Sequence, residues 1–586
     1  MEEGWTMSRM TAMDAAVNIL IDEGTEVIFG IPGAGILPFY QSLMKSGKIK
    51  HFVARHEEGA IHAADGYARA LGKIGVCVST SGPGASNFVT GLYTAQVDSI
   101  PVIAITGQNV RSQLGKEAFQ AVDIAEVAKP VTKKSYCVKE SAQVPWVFRE
   151  AFRIVQEGRP GPVLIDLPLD VQKGEIEYDP AIDSKLEFTK PSPNLKKIKR
   201  AVEMLLGAKN PVLLLGGGVI LSNAAREFEE LAIYLQIPVV ATQMGRGGIP
   251  SDHPLFAGHV GIQCNTRSGN KAFLDSDVVL GIGCRFNDRH TGDLSVYTRG
   301  RKFIHIDVDP MQIGKIVPPE LGIVSDARLA LEALVRVAKE MTPRREPSER
   351  VKNLPAMKKA LARKMDFDEV PIKPQRVFKE INEFFNEETV FVTCIGLNQI
   401  WSGQFMEIGK PRHYLDCGGA GPLGWDLPAA IGAKIARPDK LVVQVVGDYG
   451  FEFCSEELAM AAMYNIPTLS LIINNGYLSL IRQSEKYGFD MNYEVSIWYG
   501  ENKMIDFVKF AEAFGAHGER VETPEGIKPA IKRALQWMEQ TQKPALIDII
   551  VERETDASMG ASIDAIREFE EERKVEEKRS KLKKVA

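Results

Sequence analysis

A carboxylate and two amides follow consecutive apolar stretches in the last third of the sequence. One stretch ends in Gly447 and Asp448, and the next ends in Asn474 and Asn475. The Asp448 carboxylate, the Asn475 amide oxygen and the Tyr477 backbone carbonyl are hard oxygen ligands of the kind that Mg²⁺ takes beside phosphate. Gly447 would allow close backbone approach to a phosphate. Each turn alone is common, and it is their pairing on consecutive strand ends that predicts a site for a metal-bound diphosphate.

Two adjacent glutamates, Glu57 and Glu58, lie in the segment FVARHEEGAIHAADGYARA (52–70). A glutamate before a helix is usually a capping or surface residue, so these two predict no chemistry by themselves. Their neighbours are more informative. The segment FGIPGAG (29–35) precedes them, and a Gly-Pro-Gly turn suited to close cofactor contact follows within 79–108.

The elements that must position these residues are short Val- and Ile-rich runs separated by stretches of helical period. The runs lack polar alternation, so both faces are expected to be buried, as in a parallel α/β sheet. The pattern fills three blocks, 8–185, 192–342 and 372–553, with a basic linker at 343–371 and a charged C-terminal tail at 554–586. The highly charged stretch 567–586 of this tail is expected to be a solvated or frayed helix. Ligands of open parallel sheets bind at the carboxyl ends of the strands, where the candidate residues occur.

Composition excludes several classes of protein. The 586 residues carry 71 Lys and Arg against 76 Asp and Glu, which disfavours a nucleic-acid binder. The seven cysteines form no CxxC pair and suit a reducing cytosol. No apolar run is long enough to span a bilayer, and the N-terminus does not resemble a secretory signal, so a cytoplasmic protein is expected.

The paired strand ends resemble the signature of enzymes that use thiamine diphosphate (ThDP), Gly-Asp-Gly followed by Asn-Asn at the next strand end. Tyr449 departs from this signature, because most of the superfamily has Gly there. The resemblance implies three Rossmann-like domains that bind the ThDP pyrimidine, a flavin and the ThDP diphosphate with Mg²⁺. Beyond the metal ligands, it implies cofactor contacts for Ile31, Pro32, Gly33, Ser81, Gly82, Asn87, Ile395, Gly396, Gly421, Leu423, Gly447, Tyr449, Gly450 and Leu478.

The segment 52–70 resembles the Arg-His-Glu-x-Gly-Ala segment of ThDP enzymes, and that register selects Glu57 rather than Glu58. By resemblance, Glu57 is the carboxylic acid that bonds N1′ of the aminopyrimidine and promotes cofactor activation. The acid and the diphosphate site lie on different blocks, and in this superfamily two subunits supply the two halves of a site. The resemblance therefore implies a homodimer with shared active sites, commonly assembled as a homotetramer.

The middle block has Gly-rich strand ends at 216–220 and 281–292, which by themselves are weak evidence for a nucleotide site. Their combination resembles the FAD-binding domain of acetohydroxyacid synthases and glyoxylate carboligases, in which the flavin performs no net redox step. Tight turns in a purely structural domain remain the alternative. The resemblance implies flavin contacts for Arg159, Gly217, Arg285, Arg289, Asp307 and Asp326.

Pocket segments at 116–131, 286–307, 417–425 and 474–484 are most similar to those of glyoxylate carboligases. Leu169 and Ser484 stand where acetohydroxyacid synthases usually have Lys and Trp. Glu57 argues the other way, because characterised glyoxylate carboligases carry Val there. The resemblance thus implies that two glyoxylate molecules are joined with loss of CO₂ to give tartronate semialdehyde, and an acetolactate synthase acting on pyruvate remains the alternative.

Four residues are expected near the substrate by the same resemblance. Phe119 and Gln120 would come from the partner subunit, Arg482 would hold the acceptor carboxylate, and Ser484 would line the pocket. Other classes of protein stay open at this point: a flavin-dependent 2-oxo acid oxidase, a scaffold with a decayed site, and an NAD-linked dehydrogenase, which the absence of an early GxGxxG disfavours.

Overall fold

Three six-stranded parallel sheets follow one another along the chain in the computed structural model, which describes residues 8–498 and 504–569. Their strand orders are β3-β2-β4-β5-β7-β6, β11-β10-β9-β12-β13-β14 and β16-β15-β17-β18-β20-β19 in the numbering given below. Helices cover the faces of each sheet, as the continuous apolar runs require. The three sheets confirm the predicted fold class.

The first domain builds its sheet around three strands whose residues are all buried, β4, β5 and β7. Its strands are β1 (Ser8–Thr11), β2 (Val27–Gly30), β3 (Lys50–Val53), β4 (Gly75–Ser79), β5 (Val102–Gln108), β6 (Lys134–Cys137), β7 (Val163–Pro168) and β8 (Glu175–Tyr178), with β1 and β8 paired antiparallel outside the main sheet. Its helices are α1 (Ala12–Asp22), α2 (Leu37–Ser46), α3 (Glu57–Leu71), α4 (Pro83–Ser86), α5 (Val89–Asp98), α6 (Ile124–Ala128), α7 (Val144–Ile154) and α8 (Leu169–Lys173).

The middle domain repeats the architecture around its own apolar core. Its helices are α9 (Leu195–Gly207), α10 (Gly217–Leu221), α11 (Ala225–Leu235), α12 (Arg267–Leu274), α13 (Asp288–Thr291), α14 (Leu294–Thr298) and α15 (Ala327–Met341). Its strands are β9 (Pro211–Leu215), β10 (Val239–Ala241), β11 (Phe256–His259), β12 (Val278–Ile282), β13 (Lys302–Asp307) and β14 (Leu321–Val324).

The predicted linker is attached to the middle domain, which corrects the prediction for 343–371. It contains the short helices α16 (Glu349–Lys352) and α17 (Leu354–Ala360). Val351 and Leu354 are buried in the cores of the middle domain, and Arg350 donates to the carbonyl oxygens of Pro211 and Ala272. Burial of Val351 and Leu354 explains the attachment. The sequence pattern does not indicate it, because these two residues lie among charged residues.

The third domain carries the loops at which the metal site is predicted. Its helices are α18 (Pro374–Phe384), α19 (Leu397–Phe405), α20 (Asp426–Ala436), α21 (Asp448–Glu452), α22 (Leu458–Met463), α23 (Ser479–Gly488), α24 (Phe507–Ala513) and α25 (Ile527–Thr541). Its strands are β15 (Val390–Thr393), β16 (Tyr414–Asp416), β17 (Val442–Gly447), β18 (Leu469–Asn474), β19 (His517–Val521) and β20 (Ala545–Ile550), and two short strands follow, β21 (Met559–Gly560) and β22 (Ile566–Arg567).

The first part of the predicted C-terminal tail is packed against the third and middle domains. Ala557 joins the core of the third domain, and Ile563 joins that of the middle domain. Glu568 accepts hydrogen bonds from Arg267 at 2.9 Å and from Arg363 at 2.9 and 3.0 Å. The charge of Glu568 is therefore paired with two arginines of the packed chain. The prediction for 570–586 lies outside the described residues.

The first and third domains of one chain pack through α3 and α20. A Cβ at Gly66 would lie 2.3 Å from the carbonyl oxygen of Ala429, and one at Gly432 would lie 2.0 Å from that of Ala63. The two helices therefore cross at backbone contact distance, which only glycine permits. Since Glu57 begins α3, this crossing fixes the helix that carries the candidate acid.

Candidate active site

The predicted metal ligands come together at the carboxyl edge of the third sheet. Strands β17 and β18 are neighbours, so the loops that follow them lie side by side. Asp448 is 2% exposed, and its carboxylate accepts the N–H of Tyr449 at 2.8 Å and that of Gly476 at 2.6 Å. One side chain therefore ties the two loops to each other.

The same loops fit a hard divalent cation. Burial raises the pKa of Asp448 to about 7, which shows how poorly a carboxylate is solvated at this position without a cation. The side-chain oxygen of Asn475 accepts the Tyr477 N–H at 3.3 Å and keeps a second lone pair, while its nitrogen is buried without a hydrogen-bond partner in the described chain. No described residue donates to the Tyr477 carbonyl either. One carboxylate, one amide and one carbonyl suit Mg²⁺ shared with a diphosphate.

Two further loops of the third domain border this site. Gly396 and Gly421 adopt φ values of +131° and +62°, which favour glycine. A Cβ at Gly421 would lie 3.3 Å from the Ile395 side chain, and one at Gly450 would lie 3.9 Å from Leu423. The structure thus groups the cofactor residues predicted in this domain: Ile395, Gly396, Gly421, Leu423, Gly447, Asp448, Tyr449, Gly450, Asn475, Tyr477 and Leu478.

Glu57 lies at the first turn of α3, in the first domain. The turn is capped by His56, whose Nδ1 accepts the N–H of Glu58 at 3.1 Å. The Glu57 carboxylate accepts from the Asn87 side chain at 2.9 Å. A Cβ at Gly84 would lie 3.1 Å from Glu57 Oε1, so the Gly-Pro-Gly turn passes close to the carboxyl.

The other candidates of the first domain lie around the same loops. Gly33, which follows Ile31 and Pro32, packs so closely on Thr80 that a Cβ would lie 2.5 Å from Thr80 Cβ. Ser81 comes next, and Gly82, at φ +65°, packs against Gln120. The adjacent Phe119 is 84% exposed. The structure therefore brings Gln120 to the Gly-Pro-Gly turn and leaves Phe119 on the surface of the chain.

The residues around Glu57 in the first domain and those around Asp448 in the third domain form two separate clusters. Within the part of the chain that the structure describes, no hydrogen bond or ion pair connects the cluster around Glu57 with the cluster around Asp448. Each cluster lies at the carboxyl edge of its own sheet.

The role of Arg482 in holding an acceptor carboxylate stays a prediction, and the structure places this arginine in ion pairs within the chain. Its side chain is 3% exposed and is paired with Glu554 at 2.8 Å and with Asp556. Both carboxylates lie beyond β20, so the partners occupy the terminal nitrogens that a substrate would need. Ser484 is exposed on α23 and donates to the Leu480 carbonyl at 2.9 Å.

The six predicted flavin residues line one cavity between the domains. It has a volume of about 360 Å³ and is bordered by Arg159, Gly217, Arg285, Arg289, Asp307 and Asp326. This volume lies in the range of small-molecule sites. Burial raises the pKa of Asp307 to about 6, while burial and the nearby Arg285 lower the pKa of Arg159.

Two arginines of this cavity, Arg159 and Arg289, are anchored by neutral groups and so keep their charge for a ligand, whereas Arg285 also lies 3.6 Å from the Asp98 carboxylate. Arg159 donates to Ser99 at 2.8 Å and to the Val97 carbonyl at 2.9 Å. Arg289 donates to the side chains of Gln263 at 2.8 Å and Gln399 at 2.9 Å. Such a cavity suits an anionic, nucleotide-like ligand.

Sequence reasoning missed Glu457, a fully buried residue of the third domain. Its Oε1 accepts the backbone N–H groups of Arg55 and His56, both at 2.9 Å. A Cβ at Gly59 would lie 2.2 Å from this oxygen, so glycine leaves the space that Glu457 fills. Glu457 therefore holds the two residues that precede Glu57. No local motif could have revealed it, because its partners lie in another domain.

We expect Glu457→Gln to reduce the pH dependence of stability between pH 5 and 8. Burial raises the pKa of Glu457 from 4.5 to about 7. Over this interval the unfolded chain binds fewer protons than the folded chain, so the folded state loses stability as pH rises and the loss is complete above pH 7. The shift corresponds to roughly 3 kcal/mol. The Tm of the wild type should fall more between pH 5.5 and 8 than that of Glu457→Gln, which keeps the accepting oxygen.

Glu349→Gln is the control, because Glu349 is an exposed residue paired with Lys352. The Tm of this variant should fall between pH 5.5 and 8 by as much as that of the wild type. Equal slopes for wild type and Glu457→Gln would show that Glu457 is not the titrating group.

Three parallel α/β domains, with an aspartate and an asparagine on neighbouring strand ends of the third and a glutamate at a helix start of the first, are typical of the class of ThDP enzymes. Models of the thiamine pyrophosphate enzyme family match the N-terminal TPP binding domain at 10–127, the central domain at 198–334 and the C-terminal TPP binding domain at 394–549. The chain therefore belongs to the thiamine pyrophosphate enzyme family, as the sequence motifs predict.

The curated relatives include two kinds of enzyme. The chain is 48% identical to "Glyoxylate carboligase" of Escherichia coli O157:H7, with 96% of this chain and 97% of that protein covered. It is 40% identical to "Probable acetolactate synthase large subunit" of Methanococcus aeolicus, with 96% and 97% covered. The corresponding protein of Methanocaldococcus jannaschii is 42% identical, with 93% and 92% covered. The predicted resemblance is confirmed.

No helix within the described ranges combines the length and apolar character needed to cross a lipid bilayer.

Proposed function

We propose that the chain is a ThDP-dependent carboligase that acts on glyoxylate. Two glyoxylate ions and one proton would give one tartronate semialdehyde ion and one CO₂, with a carbon–carbon bond formed and the bond to one carboxylate broken. The observation that carries the proposal is 48% identity to a glyoxylate carboligase over nearly the full length of both chains. Ser484 and Leu169, which differ from the usual residues of acetohydroxyacid synthases, support it.

The residues of the third domain would hold the cofactor. Asp448, the Asn475 side chain and the Tyr477 carbonyl would bind Mg²⁺. When bound, ThDP supplies a carbon nucleophile and an electron sink for loss of CO₂. The apolar side chains of Ile395 and Leu423, with that of Leu478, would exclude water from this region and so favour loss of the charged carboxylate as CO₂.

Glu57 would hold and move a proton at N1′ of the aminopyrimidine. By the family resemblance, we assign the two halves of each site to two copies in a homodimer. Phe119 and Phe489, which are 84% and 75% exposed, are apolar residues that a second copy would cover. We further propose that two dimers form a homotetramer in the cytoplasm.

The cavity of the middle domain would hold FAD without net redox change. Its support is the convergence of six predicted contacts on one cavity with three anchored arginines. These residues would bind the flavin and its diphosphate, and the flavin would remain oxidised during turnover. Bleaching of bound flavin on addition of substrate without oxygen would instead identify a 2-oxo acid oxidase.

An acetolactate synthase acting on pyruvate is the second candidate. Two relatives at 40% and 42% identity are named as probable acetolactate synthases. Glu57 also favours it, because this acid is the residue that glyoxylate carboligases lack.

A competition between the two substrates decides between these functions. Purified protein is supplied with ThDP, Mg²⁺ and FAD, and equimolar glyoxylate and pyruvate are added together. We expect tartronate semialdehyde as the main product by mass spectrometry, with release of one CO₂ per product and unchanged flavin absorbance. Predominant acetolactate would establish the second candidate, and ThDP binding without CO₂ release would indicate a protein that has lost catalysis.

A further inference from the structure

Arg553 reaches the predicted metal-binding loop from the side opposite Asp448. It follows β20, whose neighbour in the sheet is β18. Its Nε donates to the Asn475 carbonyl at 3.1 Å, and a terminal nitrogen donates to the Gly476 carbonyl at 3.2 Å and to Ser496 Oγ at 3.2 Å. One guanidinium therefore holds two successive carbonyls of the loop.

The guanidinium is also stacked between two aromatic rings. Its central carbon lies 3.9 Å from the ring centre of Tyr477 and 3.8 Å from that of Trp498. A planar cation can stack on both rings while its edge donates to carbonyls, whereas an ammonium group cannot do both. The stacking fixes the side chain of Tyr477, whose own carbonyl is a predicted metal ligand.

Gly476 is held by hydrogen bonds at both its N–H and its carbonyl group. Its N–H is bound by the Asp448 carboxylate at 2.6 Å, while its carbonyl accepts from Arg553 and from the Ile497 N–H at 3.1 Å. Its φ is +66°, and a Cβ would lie 1.7 Å from Trp498 Nε1. The residue therefore has no room for a side chain.

We propose that Arg553, packed on Trp498, is a positioning residue for the magnesium site. By binding the carbonyls of Asn475 and Gly476, it fixes the backbone from which the Asn475 side chain and the Tyr477 carbonyl extend, and the Asn475 side-chain oxygen is itself oriented by the Tyr477 N–H at 3.3 Å. The inference rests on the proposed function, because it assigns Arg553 a role in the same cofactor site. Arg553 itself does not contact the metal and acts through the loop.

The test is calorimetric titration of ThDP at a series of Mg²⁺ concentrations with Arg553→Gln and Arg553→Lys. Supporting groups around metal ligands typically change metal affinity about 10–100-fold. We expect Arg553→Gln to raise the half-saturating Mg²⁺ concentration by that factor and Arg553→Lys to rescue it only in part. At saturating Mg²⁺, kcat and the KM for glyoxylate should return to within about twofold of wild type. A merely structural role would not be reversed by Mg²⁺.

Arg533→Gln is the matched control, because Arg533 lies on α25 in an exposed ion pair with Glu519. Its half-saturating Mg²⁺ concentration for ThDP binding should equal that of the wild type. Trp498→Leu provides a second variant, which keeps the guanidinium bonds but removes one stacked ring, and we expect a smaller shift in the same direction.

The outcomes separate this inference from the proposed function. Wild-type protein that shows no Mg²⁺-dependent ThDP binding would overturn the proposed function and this inference with it. Mg²⁺-dependent binding by the wild type, with unchanged half-saturating Mg²⁺ concentration in Arg553→Gln, would overturn the role of Arg553 alone.

Discussion

Glu57→Gln should slow proton exchange at C2 of bound ThDP by at least about 10²-fold, the usual contribution of a positioned acid or base. The carboxyl lies at the start of α3 and accepts from Asn87 at 2.9 Å, so its position is defined by its own domain. Glutamine keeps the size and one accepting oxygen but cannot transfer the proton. The measurement is loss of the C2 proton into deuterium oxide, followed by NMR after acid quenching.

Two comparisons make the Glu57 experiment specific. Glu58→Gln should exchange like the wild type, because it changes the adjacent glutamate that the family register does not select. Calorimetry should show ThDP bound to all three proteins, which excludes loss of the cofactor as the cause. Unchanged exchange in Glu57→Gln would remove this residue from cofactor activation. Glu57→Val would then show whether carboligation tolerates the residue that glyoxylate carboligases carry.

The sequence predicts the fold well because continuous apolar runs have few alternatives in a parallel α/β protein. The run at 101–107 corresponds to β5 at Val102–Gln108, and the helical stretch at 329–340 corresponds to α15 at Ala327–Met341. The exception is instructive. The run at 211–218 ends as a strand at Leu215, and Gly217 begins α10, because glycines allow a sharp turn against Gly283.

Site residues can be predicted from the sequence where they directly follow strands. They cannot be predicted where their role depends on contacts with residues far away in the sequence. Asp448 and Asn475 meet because β17 and β18 are neighbours, which the order of motifs already indicates. Arg482 has the type and place of a carboxylate binder, and only the fold shows that Glu554 and Asp556 occupy it. Arg553 is equally invisible in sequence, since it reaches the loop across the sheet.

Asp448→Ala should abolish Mg²⁺-dependent binding of ThDP, with an affinity loss of at least about 100-fold. The substitution removes the only carboxylate among the three predicted ligands, and hard cations depend on anionic oxygen. It also removes the acceptor for the Gly476 N–H at 2.6 Å, so the loop that carries the other two ligands loses its tie to α21. Calorimetric titration of ThDP with and without Mg²⁺ measures the effect.

Asp448→Asn separates the charge from the tie between the loops. Asparagine keeps an oxygen that accepts the Gly476 N–H but offers the cation no negative charge, so metal-dependent binding should still be severely weakened. Burial raises the pKa of Asp448 to about 7, so the folded chain without metal already disfavours this charge. Asparagine has only one accepting oxygen for the Tyr449 and Gly476 N–H groups, so the measurement that isolates the charge is Mg²⁺-dependent binding rather than the Tm. Wild-type affinity in Asp448→Asn would show that the loops hold the diphosphate without a carboxylate ligand, and the assignment of the metal site would have to move to another pair of strand ends.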